Sequence, residues 1–100
     1  MLLVYQCTRN FPSEERFGLT SQMRRAAVSV PANIVEGFKR RGITEKVRFY
    51  NIAEASLEEL KYYFILAEDL QYSPVIDLNG NADTVGRLLS GLISSTERRR

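Results

Sequence analysis

The fold is decided by residues 44–72, which read TEKVRFYNIAEASLEELKYYFILAEDLQY and contain neither glycine nor proline. Apolar and small side chains recur here at intervals of three and four, the spacing that puts them on one face of an α-helix. Thr44 can cap the start of this helix, and Glu45 lies at the favourable end of its dipole. We predict a helix of about 27 residues, ~40 Å long. The predicted face consists of Phe49, Ile52, Ala53, Ser56, Leu60, Tyr63, Phe64, Ala67 and Leu70.

A second helix is predicted directly before this stretch, over residues 20–41. Thr20 or Ser21 can cap its start, and Gly42 can take the left-handed conformation after its end. Pro31 removes one backbone donor and crowds the carbonyl of Ala27, so we expect a kink there. A break is not expected, because the apolar spacing continues in phase beyond the proline. The predicted apolar face is Met23, Ala26, Ala27, Val30, Ile34 and Phe38.

Two further helices flank this pair. Residues 1–10 form a short apolar segment that resembles the tail of a longer helix, and the turn at Asn10–Ser13 ends it. Ser73-Pro74 ends helix 3, and Asn79-Gly80-Asn81 precedes a fourth helix over residues 81–98. Its predicted face is Val85, Leu88, Leu89, Leu92 and Ile93. Short connections make neighbouring helices antiparallel, so we predict one all-α domain over residues 1–100, an antiparallel up-down-up-down four-helix bundle.

Charge is distributed unevenly along the chain, although the net charge is only +2. Residues 1–49 carry +5, residues 50–97 carry −6, and the last three arginines add +3. In the predicted bundle the end of helix 2, the start of helix 3 and the end of helix 4 lie together, which would separate the two signs in space. We call this end the basic pole, and its members are Lys39, Arg40, Arg41, Lys46, Arg48, Arg98, Arg99 and Arg100. The opposite end collects Glu14, Glu15, Glu68, Asp69, Asp77 and Asp83, with Arg16.

Most catalytic chemistry lacks its usual residues in this chain. Histidine is absent, which excludes histidine bases and histidine metal ligands. Cys7 is the only cysteine and lies in an apolar context, typical of a buried small side chain. The alternation of residues 77, 79, 81 and 83 resembles a calcium loop, but Ala82 and Leu88 occupy the places of its glycine and glutamate. We expect no catalytic residue, metal or cofactor, no membrane association, and a cytoplasmic location.

A line of polar side chains follows helix 2 beside its apolar face. Gln22, Arg25, Ser29, Asn33 and Glu36 recur at intervals of three and four. With helix 3 running back alongside, Ser29 faces Ser56. We therefore hypothesise that Arg25 pairs with Glu59 and Glu36 with Arg48 at the seam between the helices; plain solvent exposure of these residues is the alternative.

Two blocks of sequence resemble a known family. Residues 11–38, FPSEERFGLTSQMRRAAVSVPANIVEGF, and residues 48–60, RFYNIAEASLEEL, are similar to signatures of the four-helix-bundle proteins named for the 23S rRNA intervening sequence. The resemblance implies an antiparallel bundle, a truncated first helix here, and a ring-shaped homopentamer. The polar positions that match the family, and are expected to be structural or interfacial, are Arg25, Ser29, Asn33, Glu36, Ser56 and Glu59.

The resemblance extends distantly to an accessory variability protein of retroelements, a basic pentamer that binds nucleic acid and a reverse transcriptase. Ala55 departs from the family, which usually has glycine there. Two functions remain open at this point. The chain is either a homo-oligomer that binds RNA or DNA through the basic pole, or a structural or protein-interaction bundle whose cations only cap helices and aid solubility.

Overall fold

Four α-helices make up most of the part of the chain that the structure describes. The computed structural model describes residues 2–72 and 76–99, with side chains at 2–72 and 78–99. The helices are α1 (Leu2–Thr8), α2 (Leu19–Lys39), α3 (Ile43–Asp69) and α4 (Ile76–Glu97), and a 3₁₀ turn spans Ser13–Glu15. No strand occurs within the described ranges. The predicted all-α bundle is therefore confirmed, and α3 has the predicted 27 residues.

Helices α2 and α3 pack side by side and run in opposite directions, because only three residues connect them. The hydroxyls of Ser29 and Ser56 lie 2.8 Å apart, as the predicted register requires. Pro31 lies inside α2, which continues unbroken through it, so the helix does not end there; the kink stays a prediction. Further contacts along this seam pair Arg25 with Glu59 and Gly37 with Tyr50.

Helix α4 packs against the other side of α3, again antiparallel. Lys61 Nζ lies 3.3 Å from Asp83 Oδ1, and Ser90 Oγ donates a hydrogen bond of 3.4 Å to Glu54 Oε2. Seven residues separate the two contacts on each helix, which fixes the register over two turns. Helix α1, at seven residues, covers only part of the remaining side and packs against α2.

Two groups of buried side chains form the core. The larger draws on all four helices, and the smaller consists of Tyr50, Ala53 and Leu89. The buried line of α3 follows Val47, Tyr50, Ala53, Leu57, Leu60, Phe64 and Ala67. It is rotated relative to the predicted face, since apolar residues occupy two adjacent lines of this helix. As a result, four residues at the edges of the predicted apolar faces are exposed: Phe38, Ile52, Leu70 and Leu88.

Helix α4 begins earlier than predicted. It starts at Ile76, so Asn79-Gly80-Asn81 lies within the helix instead of preceding it. Leu78 and Ala82 are buried against the core, and this burial outweighs the low helix propensity of Gly80. The calcium-loop pattern of residues 77, 79, 81 and 83 consequently lies within the helix. The turn predicted at Ser73-Pro74 lies outside the described residues.

Helix ends also differ from the predictions. Neither Thr20 nor Ser21 caps α2, because the helix already begins at Leu19, whose N–H donates 3.1 Å to Glu15 Oε1. Helix α3 begins at Ile43 and places Gly42, not Thr44, in the capping position. Gly42 has φ −81°, so the predicted left-handed conformation is absent there.

The left-handed residue occurs instead after α3, at Gln71 with φ 59°. The Tyr72 N–H donates to Ala67 O and the Gln71 N–H to Glu68 O, at 3.1 and 2.9 Å, the hydrogen-bond pattern of a Schellman motif. This ending directs Tyr72 back to the start of α2, where its hydroxyl donates 2.6 Å to Glu15 Oε2. One carboxylate thus joins the start of α2 to the end of α3.

Replacing Gly37 by alanine is expected to destabilise the bundle. A methyl carbon on Gly37 would lie 2.8 Å from Tyr50 Cδ1 and closer still to Cε1, while the ring is 1% exposed and has little space to move. We expect Gly37→Ala to lower the free energy of unfolding by about 1–3 kcal/mol, as overpacked cores do. Urea unfolding followed by circular dichroism measures this.

Gly91→Ala is the matched control. A methyl group there meets nothing within 4 Å, so the change should raise stability by about 0.5–1 kcal/mol through helix propensity. Equal effects of the two substitutions would contradict the steric role of Gly37.

The Glu15 carboxylate should make stability depend on pH. The hydrogen bond from Tyr72 and then the one from the Leu19 N–H hold the pKa of Glu15 below its ordinary value of 4.5. A lowered pKa in the folded state stabilises the fold above pH 4.5, and that stabilisation is lost as the pH falls through the folded-state pKa. Wild type should therefore be more stable than Glu15→Gln at neutral pH, and the difference should shrink on acidification. Thermal melts of both proteins between pH 7 and pH 3 test this, and a constant difference would refute it.

Candidate nucleic-acid interface

The fold brings the basic pole together from three helices. Lys39 ends α2, α3 begins four residues later at Ile43, and α4 ends at Glu97 on the same side of the molecule. Burial raises the pKa of Tyr50, in the second turn of α3, and the positive charge of Arg99 opposes that rise. Arg99 therefore lies within electrostatic reach of the Tyr50 side chain. Arg100 lies outside the described residues.

Lys46 is occupied by the backbone of α2. Its ammonium group donates to the carbonyls of Gly37 and Phe38, at 3.2 and 3.0 Å. These carbonyls belong to the last turn of the helix, where intrahelical partners are missing and the helix dipole is negative. Lys46 thus caps α2 with two of the three N–H donors of its ammonium group.

Arg40 and Arg48 are both engaged on the protein surface. Arg40 pairs with Glu36 at 3.0 Å and Arg48 with Glu45 at 3.2 Å. The two guanidinium groups also lie over the ring of Phe49, at 4.8 and 5.3 Å from its centroid. The predicted pair of Glu36 with Arg48 is therefore wrong. Each acid has a basic residue one turn away on its own helix, which costs less side-chain ordering than a pair across helices.

Four cations of the pole keep their charge uncompensated. Within residues 2–72 and 78–99, no ion pair involves the exposed side chains of Lys39, Arg41, Arg98 and Arg99. Exposed positive charges in this number can each contact a phosphate and release counterions. The pole also includes an exposed ring, since Phe38 is 58% exposed whereas Tyr50, edge-on to it at 6.0 Å, is 1% exposed.

The polar line of α2 is a hydrogen-bonded surface seam. Asn33 Nδ2 donates to the hydroxyl of Ser29 at 2.9 Å and to its carbonyl at 2.8 Å, and Ser29 bonds to Ser56. The predicted pair of Arg25 with Glu59 is present at 3.6 Å. It lies in solvent, with the side chains 69% and 43% exposed, so it contributes at most ~1 kcal/mol.

Metal binding and membrane insertion are two further functions on which the described residues bear. Among the described residues, no three acidic or cysteine side chains come together as metal ligands would. None of the helices, over the part of the chain that the structure describes, combines the length and apolar character needed to cross a membrane.

A second group of arginines was missed by the sequence analysis. Arg16, Arg24 and Arg25 line one surface pocket at the other end of α2 together with the rings of Tyr5 and Phe17. The Arg16-Phe17 dipeptide and the Arg24-Arg25 dipeptide were visible signals. Their convergence depends on how α1 packs against α2, which spacing along the chain does not reveal.

The capping role of Lys46 predicts a stability effect that its neighbours at the pole do not share. Lys46→Met should lower the free energy of unfolding by about 1 kcal/mol, because it removes a charged donor from two carbonyls at a helix end. Lys39→Met, which removes the same charge from an exposed position, should change stability by less than ~0.5 kcal/mol. Urea unfolding of both variants decides this, and a Lys46→Met protein as stable as wild type would show that the cap contributes nothing.

Comparison with known proteins bears on identity. No match was found among curated proteins. The family described as 23S rRNA-intervening sequence protein matches residues 1–91, which include α1, α2 and α3 in full and most of α4. The matched region contains both signature blocks, the Gly37 contact with Tyr50 and the polar seam. This four-helix chain belongs to the 23S rRNA-intervening sequence protein family.

Proposed function

We propose that this chain is a non-enzymatic, homo-oligomeric bundle of the cytoplasm that binds RNA or DNA through its basic pole. The observation that carries the proposal is the group of uncompensated cations at one end: Lys39, Arg41, Arg98 and Arg99. They lie on two stretches of chain, the end of α2 with its connection to α3 and the residues directly after α4. An array of this kind contacts phosphates without reading sequence.

Self-association is part of the proposal. Six large apolar side chains on the outer faces of α2 and α3 are each 38–59% exposed. An exposed apolar surface of this extent is typical of a protein–protein interface. The family resemblance suggests a pentameric ring, which would repeat the basic pole five times on one face and multiply its field. The six side chains are Val28, Val35, Phe38, Ile52, Tyr62 and Ile65.

The alternative is a structural or adaptor bundle that binds another protein. The same exposed apolar side chains favour it, as does the use of Lys46, Arg40 and Arg48 within the fold. The two functions differ in one measurable property, which is the dependence of nucleic-acid binding on salt.

Fluorescence anisotropy with a labelled structured RNA and a labelled duplex DNA, at two salt concentrations, tests the proposal. Binding should weaken as salt rises. A Lys39→Gln/Arg41→Gln/Arg98→Gln variant should bind both probes more weakly, and its slope against the logarithm of salt concentration should fall by roughly one for each lost phosphate contact.

Arg87→Gln is the matched control for Arg41→Gln, because Arg87 is an exposed arginine in the middle of α4, away from the pole. It should leave binding unchanged while Arg41→Gln weakens it. Light scattering on the same samples measures the oligomer, for which a pentamer predicts five times 11.5 kDa. A folded, oligomeric protein that binds neither probe at low salt would refute nucleic-acid binding and leave the adaptor function.

A further inference from the structure

The end of α2 opposite the basic pole carries a surface pocket of about 500 Å³. Three guanidinium groups and two aromatic rings line it, and we call them the arginine–aromatic cluster: Tyr5, Arg16, Phe17, Arg24 and Arg25. The cluster is about 20 Å from Lys39 along α2, taking 1.5 Å per residue from Arg24 or Arg25. It is therefore a separate site.

The packing of α1 on α2 orients one half of the cluster. Arg24 Nε donates 2.8 Å to the buried hydroxyl of Thr8, and this bond holds the guanidinium 4.7 Å from the centre of the Tyr5 ring. The guanidinium group of Arg16 lies 5.0 Å from the centre of the Phe17 ring. Phe17 is 84% exposed, the largest exposure among the large apolar side chains described. An exposed phenyl ring beside guanidinium groups offers a flat surface with positive charge around it.

Acidic side chains do not neutralise this pocket. Arg16 and Arg24 have no ion pair with any acid among the described residues, and Arg25 has one, at 3.6 Å from Glu59. The nearby Glu15 is directed away, since its two oxygens accept from the Leu19 N–H and the Tyr72 hydroxyl. Neither Glu15 nor its neighbour in the 3₁₀ turn lines the pocket. The cluster thus carries a local positive charge at the end where the chain otherwise concentrates acids.

A nucleotide with an unpaired base has the chemistry that this arrangement fits. Its phosphate can accept from Arg16 and Arg24, and its base can stack on the open face of Phe17. A duplex presents phosphates to the guanidinium groups but keeps its bases stacked inside, so no base is free to stack on Phe17. We propose that the arginine–aromatic cluster binds single-stranded RNA or DNA, with a phosphate on the guanidinium groups and a base on Phe17. The inference rests on the proposed function, because it gives the same class of ligand a second point of contact.

Phe17→Trp provides a direct probe of stacking, because the chain contains no tryptophan. The experiment titrates this variant with uridine and deoxythymidine oligonucleotides of about eight nucleotides, within the ~4–16 nucleotide range of single-strand binding modules. We expect quenching of the tryptophan fluorescence that saturates with oligonucleotide. The two oligonucleotides distinguish RNA from DNA as the preferred ligand.

Anisotropy with the same labelled oligonucleotides measures the contribution of each group. It is best done in the Lys39→Gln/Arg41→Gln/Arg98→Gln background, where the basic pole is weakened. Phe17→Ala should weaken single-strand binding about tenfold, Phe17→Tyr should retain it, and Arg16→Gln should weaken it and reduce its salt dependence. Leu88→Ala, which removes an apolar side chain 70% exposed on α4, is the matched control and should have no effect.

The outcomes separate this inference from the proposed function. If wild type binds no nucleic acid, both are wrong. If wild type binds structured RNA or duplex DNA, but Phe17→Trp shows no quenching and Phe17→Ala binds single strands as well as its parent, the inference is wrong and the proposed function stands. If light scattering shows that Phe17→Ala loses the oligomer, the ring serves self-association, which also overturns the inference.

Discussion

At Gly37 the backbone of α2 lies directly against the ring of Tyr50 in α3. The packing of the helices at the basic pole depends on this contact. The ring is buried because it also belongs to a small core with Ala53 and Leu89, the latter in α4. Three helices thus meet around one aromatic side chain. Their register is fixed where the ring fits, since the absence of a Cβ at position 37 provides the space that it fills.

The same contact determines where charge accumulates. Once the end of α2 lies against the second turn of α3, Lys46 reaches the last carbonyls of α2 and caps them. The guanidinium groups of Arg40 and Arg48 both lie over the ring of Phe49. The cations that have no ion pair among the described residues lie at or just beyond the ends of α2 and α4, where their side chains are exposed. The pole therefore contains both cations that the fold uses and cations that are available to a partner.

The two basic surfaces of the molecule differ in character. At the pole the charges are numerous, and the two guanidinium groups that lie over a ring, those of Arg40 and Arg48 at Phe49, are paired with acids. At the other end the arginines are fewer, but the guanidinium groups beside Tyr5 and Phe17 have no ion pair among the described residues. The first arrangement suits the regular phosphates of a duplex or a folded RNA, and the second suits a strand whose bases are free to stack. Glu15, the acid next to Arg16 in the chain, accepts hydrogen bonds from the Leu19 N–H and the Tyr72 hydroxyl instead.

Sequence alone determined the helices, their antiparallel order and the facing of Ser29 and Ser56, because local apolar periodicity and short connections leave little choice. The pairing of Arg25 with Glu59 was a hypothesis from the sequence, with solvent exposure as the alternative; the pair is present, and both side chains are exposed. Tertiary structure decided the rest. Helix α4 starts at Ile76 and not at the predicted residue 81, because burial of Leu78 and Ala82 outweighs the turn propensity of Asn79-Gly80-Asn81. The caps of α2 and α3, the partners of Glu36 and Arg48, and the arginine–aromatic cluster all depend on side chains that meet only after packing. Spacing along a helix predicts which residues share a face. It does not predict which side chains are close enough to form a hydrogen bond or an ion pair.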